Sequence, residues 1–117
     1  MSEEWLAMEK FYPILIQSYI RSVTAAQLVK KQEENKDILP VKFRINKEYY
    51  NQILESDIQT PLIGLKLSYD ENNLILSVEP EAYFITEYEN QIMRDVAVKQ
   101  VELCRLRYSK FIEIVEA

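Results

Sequence analysis

Apolar residues recur along the last part of the chain in steps of four and three. Ala97, Val101, Cys104, Tyr108, Phe111 and Val115 keep this spacing, which sets side chains on one stripe of a helix. Ile92, Val96, Leu103 and Ile114 lie beside the stripe and widen it to a broad arc. The pattern predicts one helix over residues 86–117, opened by Thr86-Glu87-Tyr88-Glu89, which has the form of a capping box. An arc this wide on a terminal helix needs a sheet, other helices or a second copy of the chain against it.

The beginning of the chain carries a second helical pattern. Trp5, Met8, Tyr12, Leu15, Ile16, Tyr19, Val23 and Ala26 share one face over residues 3–33, with Ser2 as the N-cap. Leu6, Ile14, Ile20 and Leu28 fall off that face, so this helix too is expected to be covered on more than one side. Pro13 cannot donate a backbone hydrogen bond and predicts a kink or two shorter helices.

Residues 32–40 are mostly polar and read as a linker. Val41-Lys42-Phe43-Arg44-Ile45 alternates apolar and basic residues, the period of a half-buried strand. Asn46 is placed to cap a short helix through Tyr49, Tyr50, Ile53 and Leu54. Thr60-Pro61 is expected to open the next strand. Residues 62–69 and 74–79 form a predicted hairpin across Asp70-Glu71-Asn72-Asn73, where asparagine tolerates positive φ. Gly64, the single glycine, falls inside the first of these strands and predicts a bulge or a close backbone neighbour. Ala82-Tyr83-Phe84-Ile85 reads as a last short strand.

Strands gather in the middle and helices at the ends. The expected class is α+β, a small antiparallel sheet of three to four strands with long N- and C-terminal helices, in a single domain over residues 1–117. A winged helix is the competing arrangement, with the hairpin as wing and the last helix as a dimerisation arm. It requires the first helix to break into a helix-turn-helix, and a basic recognition helix is missing.

Composition narrows the function. A chain of 117 residues, 48% apolar and 28% charged, is long enough and apolar enough for a core without staples. The net charge of −5 disfavours non-specific attraction to nucleic acid or an anionic membrane, and it is too mixed in sign to imitate DNA phosphates. Cys104 is the only cysteine, no N-glycosylation sequon occurs, and the first residues are acidic where a signal peptide is basic. No run reaches the ~18 apolar residues of a membrane span. These features lead to an expected cytoplasmic location with no membrane partner.

The chain has no histidine, which removes imidazole acid–base chemistry, His-activated nucleophiles and imidazole zinc sites. One glycine cannot build a phosphate-cradling loop, and one cysteine cannot build a thiolate cluster. Asp70-Glu71-Asn72-Asn73 is rich in oxygen ligands but lacks EF-hand spacing, so a polar hairpin loop is the simpler reading. The pairs Glu79/Glu81 and Glu87/Glu89 fit solvation and capping better than a carboxylate dyad. Cys104 on the apolar stripe reads as a small buried hydrophobe. Lys42 and Arg44 with Tyr49 and Tyr50 would be the nucleic-acid platform, if there is one; adjacent tyrosines cannot face the same way, so one of them is expected to be exposed. No catalytic residue, cofactor site or metal site is predicted.

The expectation is therefore a non-enzymatic protein–protein interaction module, a homodimer or a subunit of a larger assembly, with Val101, Cys104, Tyr108, Phe111 and Val115 as its interface. The alternatives are a chaperone or assembly adaptor that adds an extended client segment to the sheet edge, and a winged-helix-type DNA-binding regulator. In the contrasting case, the helices and sheet bury one another within a monomer.

Overall fold

A computed structural model describes residues 10–115. Ser2, Trp5 and Met8, which the pattern assigns to the start of the first helix, lie outside that range. Helix α1 runs from Pro13 to Glu33 without a break. Pro13 occupies the first turn, where its missing N–H would have had no partner anyway, and Tyr12 takes the extended N-cap position. The proline therefore starts α1 instead of kinking it, and among the described residues α1 itself has no break. At the other end Asn35 turns left-handed at φ 54. The N–H groups of Asn35 and Lys36 donate to the carbonyls of Gln32 (3.2 Å) and Lys31 (2.9 Å), the two bonds of a Schellman stop.

Strand β1 (Val41–Ile45) alternates buried and exposed residues as its pattern predicts. Helix α2 (Lys47–Glu55) follows, its first turn closed by Asn46, whose Oδ1 accepts from the Tyr49 N–H at 2.8 Å. Thr60–Leu62 form a single 3-10 turn, so Pro61 opens a turn and not the expected strand. The hairpin is present as β2 (Leu65–Asp70) and β3 (Ile75–Pro80). Then come helix α3 (Ala82–Glu87), helix α4 (Gln91–Tyr108) and strand β4 (Ile112–Val115).

The four strands form an antiparallel sheet in the order β2-β3-β1-β4. Together with the helices it makes the α+β architecture expected from the pattern. Phe43 stands between Leu76 on β3 and Ile114 on β4, and Val41 stands opposite Val78. These side chains make the covered face, against which α1 lies, and α4 packs chiefly on α1. Lys42, Arg44, Lys66, Asp70, Glu79 and Glu113 belong to the other face and are exposed, so that face stays solvated.

Three boundaries differ from the pattern. Residues 86–117 are not one helix. The chain turns after Tyr108, and Ile112 and Ile114 take alternate places on β4, paired with Ile45 and Phe43. A step of four followed by three cannot separate a helix from a turn leading into a β-branched strand, and the free edge of β1 decides the matter through backbone hydrogen bonds. Ala82-Tyr83-Phe84-Ile85 is helical because one turn seats Phe84 fully in the core. Thr86 belongs to α3, its hydroxyl donating to the Ala82 carbonyl, while Asn90 caps α4 by accepting from Ile92 (2.9 Å) and Met93 (3.3 Å).

Two polar side chains on α1 fix how it sits. Gln17 is fully buried and its Nε2 donates to the Ile53 carbonyl at 3.1 Å, holding α2. Arg21 Nη1 donates to the carbonyls of Pro61 (3.1 Å) and Ile63 (2.9 Å), and Nη2 meets Glu87 Oε2 at 2.6 Å. The same guanidinium lies 4.9 Å from the Phe84 ring centroid and 5.5 Å from that of Tyr88. Gly64 (φ +82) leaves room for Phe84, since a β-carbon there would sit 3.1 Å from the Phe84 Cβ. The close neighbour predicted for the glycine is this one, just before β2. Replacing Arg21 by methionine keeps the stem and removes every one of those polar contacts, and is expected to lower unfolding free energy by roughly 2–4 kcal/mol. Urea denaturation measures it, and a loss near zero would show that the clamp adds nothing to stability.

In the hairpin loop the left-handed residue is Leu74 (φ 57) and neither asparagine. Asp70 Oδ1 accepts from Asn72 and Asn73 backbone N–H groups and places the chain so that the last loop residue must turn. A β-carbon in that conformation costs about 1–2 kcal/mol. Leu74→Gly is expected to raise stability by about 1 kcal/mol, read as a higher thermal midpoint. A lower midpoint would mean that the leucine side chain contributes more by packing than its backbone strain takes away.

Candidate interaction surface

Helix α4 has two apolar faces on opposite sides. The inward one is the predicted stripe. Ala97, Val101, Cys104 and Tyr108 look onto α1, with the Tyr108 ring edge-on to Tyr19 at 5.1 Å. Cys104 is half-buried, its Sγ 3.6 Å from Gln100 Oε1. Phe111, just beyond the helix, completes an aromatic cluster with Phe11 (5.5 Å) and Tyr49 (5.3 Å), which themselves stack at 4.5 Å. Val115 stands apart, on β4 opposite Lys42 and so on the solvated face of the sheet. Four of the five predicted interface residues are thus brought together, and the surface they meet is the chain's own. Tyr108 and Phe111 are only 5% exposed.

The outward face holds the most exposed large apolar side chains of α4. Ile92 is 73% exposed, Val96 52%, Leu103 67% and Leu106 65%. With Lys99 filling the place between them, they too follow steps of four and three, half a turn round the helix from the inward stripe. The sequence pattern alone places Ile92, Val96 and Leu103 at the margin of one broad arc and leaves Leu106 out of it. Two opposite stripes and one wide arc have the same composition. The 92-96-99-103-106 spacing was the signal that distinguishes them.

Comparison with protein-family models, with curated proteins and with solved structures finds no match. The surface itself has to carry the functional reading.

The other surfaces are less selective. A groove of ≈ 660 Å³ between α1 and α4 is lined by Lys30, Arg94 and Lys99 but equally by Glu33, Asp95 and Glu102, so it presents no net field to a charged ligand. Arg44 on the open sheet face reaches Glu113 at 3.4 Å. Tyr49 and Tyr50 are both half-buried, Tyr50 stacked on Tyr69 at 4.3 Å, so neither is the exposed platform expected of one of them. A 100° step lets two neighbours each bury one edge against different elements. Asp70 is held by its own loop, the Asn73 amide keeping its carboxyl below the usual range, and Glu71 meets Lys47 at 2.8 Å. Among the described residues, no three acidic or thiol groups cluster closely enough to share a metal ion, and no helix is long and apolar enough to cross a membrane.

Burial of Tyr19 between α1 and α4 pushes its phenol up to about 12, against a smaller opposite pull from Arg105. The unfolded chain loses that proton near pH 10 and the folded chain holds it for longer, so between these values the folded state binds more protons and stability falls as pH rises. Burial raises Tyr50, Tyr69 and Tyr108 in the same direction. Urea midpoints followed across this alkaline range are expected to drop steeply, and less steeply for Tyr19→Phe. Equal slopes for the two proteins would show that Tyr19 ionises freely in the fold.

Proposed function

We propose that this chain is a non-enzymatic protein-interaction module whose docking surface is the outward face of α4. The observation that carries the reading is the row Ile92, Val96, Leu103, Leu106, four aliphatic side chains left more than half in water on one ridge. Scattered exposed apolar residues are ordinary, but an aligned row on a helix whose other face is already packed marks a binding site. Covering each of them would contribute roughly 1–2 kcal/mol before the cost of association. The residue types speak for binding over chemistry, since the chain has no histidine, Asp70 is tied into its own loop and Glu87 into the Arg21 clamp.

The double variant Leu103→Glu/Leu106→Glu tests this. Both positions are exposed, so circular dichroism is expected to show an unchanged fold, while any assembly formed by the wild-type chain is lost. Val101→Glu, which places a carboxylate against α1, is expected to unfold the protein instead. If the double variant kept the assembly state and co-purifying partner of the wild type, the outward face would not be the docking surface.

A further inference from the structure

We infer that the occupant of this face is a second copy of the same chain, the two α4 helices lying antiparallel across a twofold axis near Lys99. The inference rests on the reading of the outward face as a docking surface and names its partner. A twofold contact must be self-complementary, each patch meeting itself reversed. The row satisfies this in size and position. Ile92 and Val96 lie in the first half of α4, Leu103 and Leu106 at matching distances in the second, and Lys99 sits at the midpoint. Reversal brings Val96 onto the partner's Leu103 and Ile92 onto the partner's Leu106.

The charges beside the row point the same way. Glu89 stands just before α4 and Asp95 in its first half, while Arg107 stands in its last turn and Lys110 just beyond it. Three charges stand apart from this pattern: Arg94 points back toward Glu33, 3.8 Å away, Glu102 lies within a turn of Lys99, and Arg105 lies beside Tyr19 on the inward side. An antiparallel pair lays acidic ends on basic ends twice over. A parallel pair would set Glu89 on the partner's Glu89 and Lys110 on the partner's Lys110. At the axis the two Lys99 side chains meet Asp95 and Glu102 from both chains. The contact is one helix face, about 27 Å long, which lies at the small end of specific interfaces.

Sedimentation equilibrium of the full chain across low to high micromolar concentration is expected to show the 13.9 kDa species giving way to one of twice that mass. Glu89→Lys and Lys110→Glu are each expected to weaken the dimer roughly fivefold, because every swap acts at two symmetric contacts, and the double swap to restore it to within about twofold. Circular dichroism checks that each variant folds. A dimer weakened further by the double swap, or one untouched by Leu103→Glu/Leu106→Glu, would overturn the antiparallel α4 pair. A 13.9 kDa species throughout, with another polypeptide held by the wild type and lost by the leucine variant, would overturn self-pairing and leave the interaction reading standing. The same lone species with no partner lost would remove both.

Discussion

The structure depends on the need to cover α1 on two sides. Its buried residues, among them Ile16, Tyr19, Ile20, Val23 and Leu28, are spread too widely round the helix for a flat sheet to cover them alone. The sheet takes one side through Phe43, Leu76 and Val78, and α4 takes another through Ala97, Val101 and Tyr108. Gln17 and Arg21 then pin the same helix to α2, to the turn at Pro61 and to α3 by bonds that only one placement satisfies. Position comes from the polar contacts, while burial of the apolar faces supplies the greater part of the stability.

The exposure of α4 follows from that arrangement. A helix packed mainly on another helix buries a narrow strip, because two cylinders touch along a line. One strip of α4 is enough to close α1, and the opposite half is left with whatever the sequence places there. In most such helices the outer half is polar. Here it carries four large aliphatic residues, a local conflict with solvation of the kind expected at functional positions.

Much of the fold was legible because its signals were local. The alternation in Val41–Ile45, the Asn46 cap and the hairpin on either side of Asp70 depend on a few neighbouring residues. The errors fell where distant partners decide. Pro13 reads as a kink unless the helix start is known, and Phe84 reads as strand until the pocket over Gly64 is seen. Ile112 and Ile114 continue a helical spacing until β1 offers an edge. The candidate surface was half legible, since apolar spacing along α4 could be read but its direction could not. Which of two back-to-back stripes faces inward depends on where α1 lies, and α4 alone does not contain that information.

The turn at Ser109, Lys110 and Phe111 carries one more implication. It joins α4 to an edge strand that is hydrogen-bonded along β1, while Asn90 holds the opposite end. The backbone beneath the leucine ridge is therefore tied at both ends before anything arrives. Docking would restrict only side-chain rotamers, about 0.5–1.5 kcal/mol for each. A contact patch no longer than a single helix can for that reason still be specific.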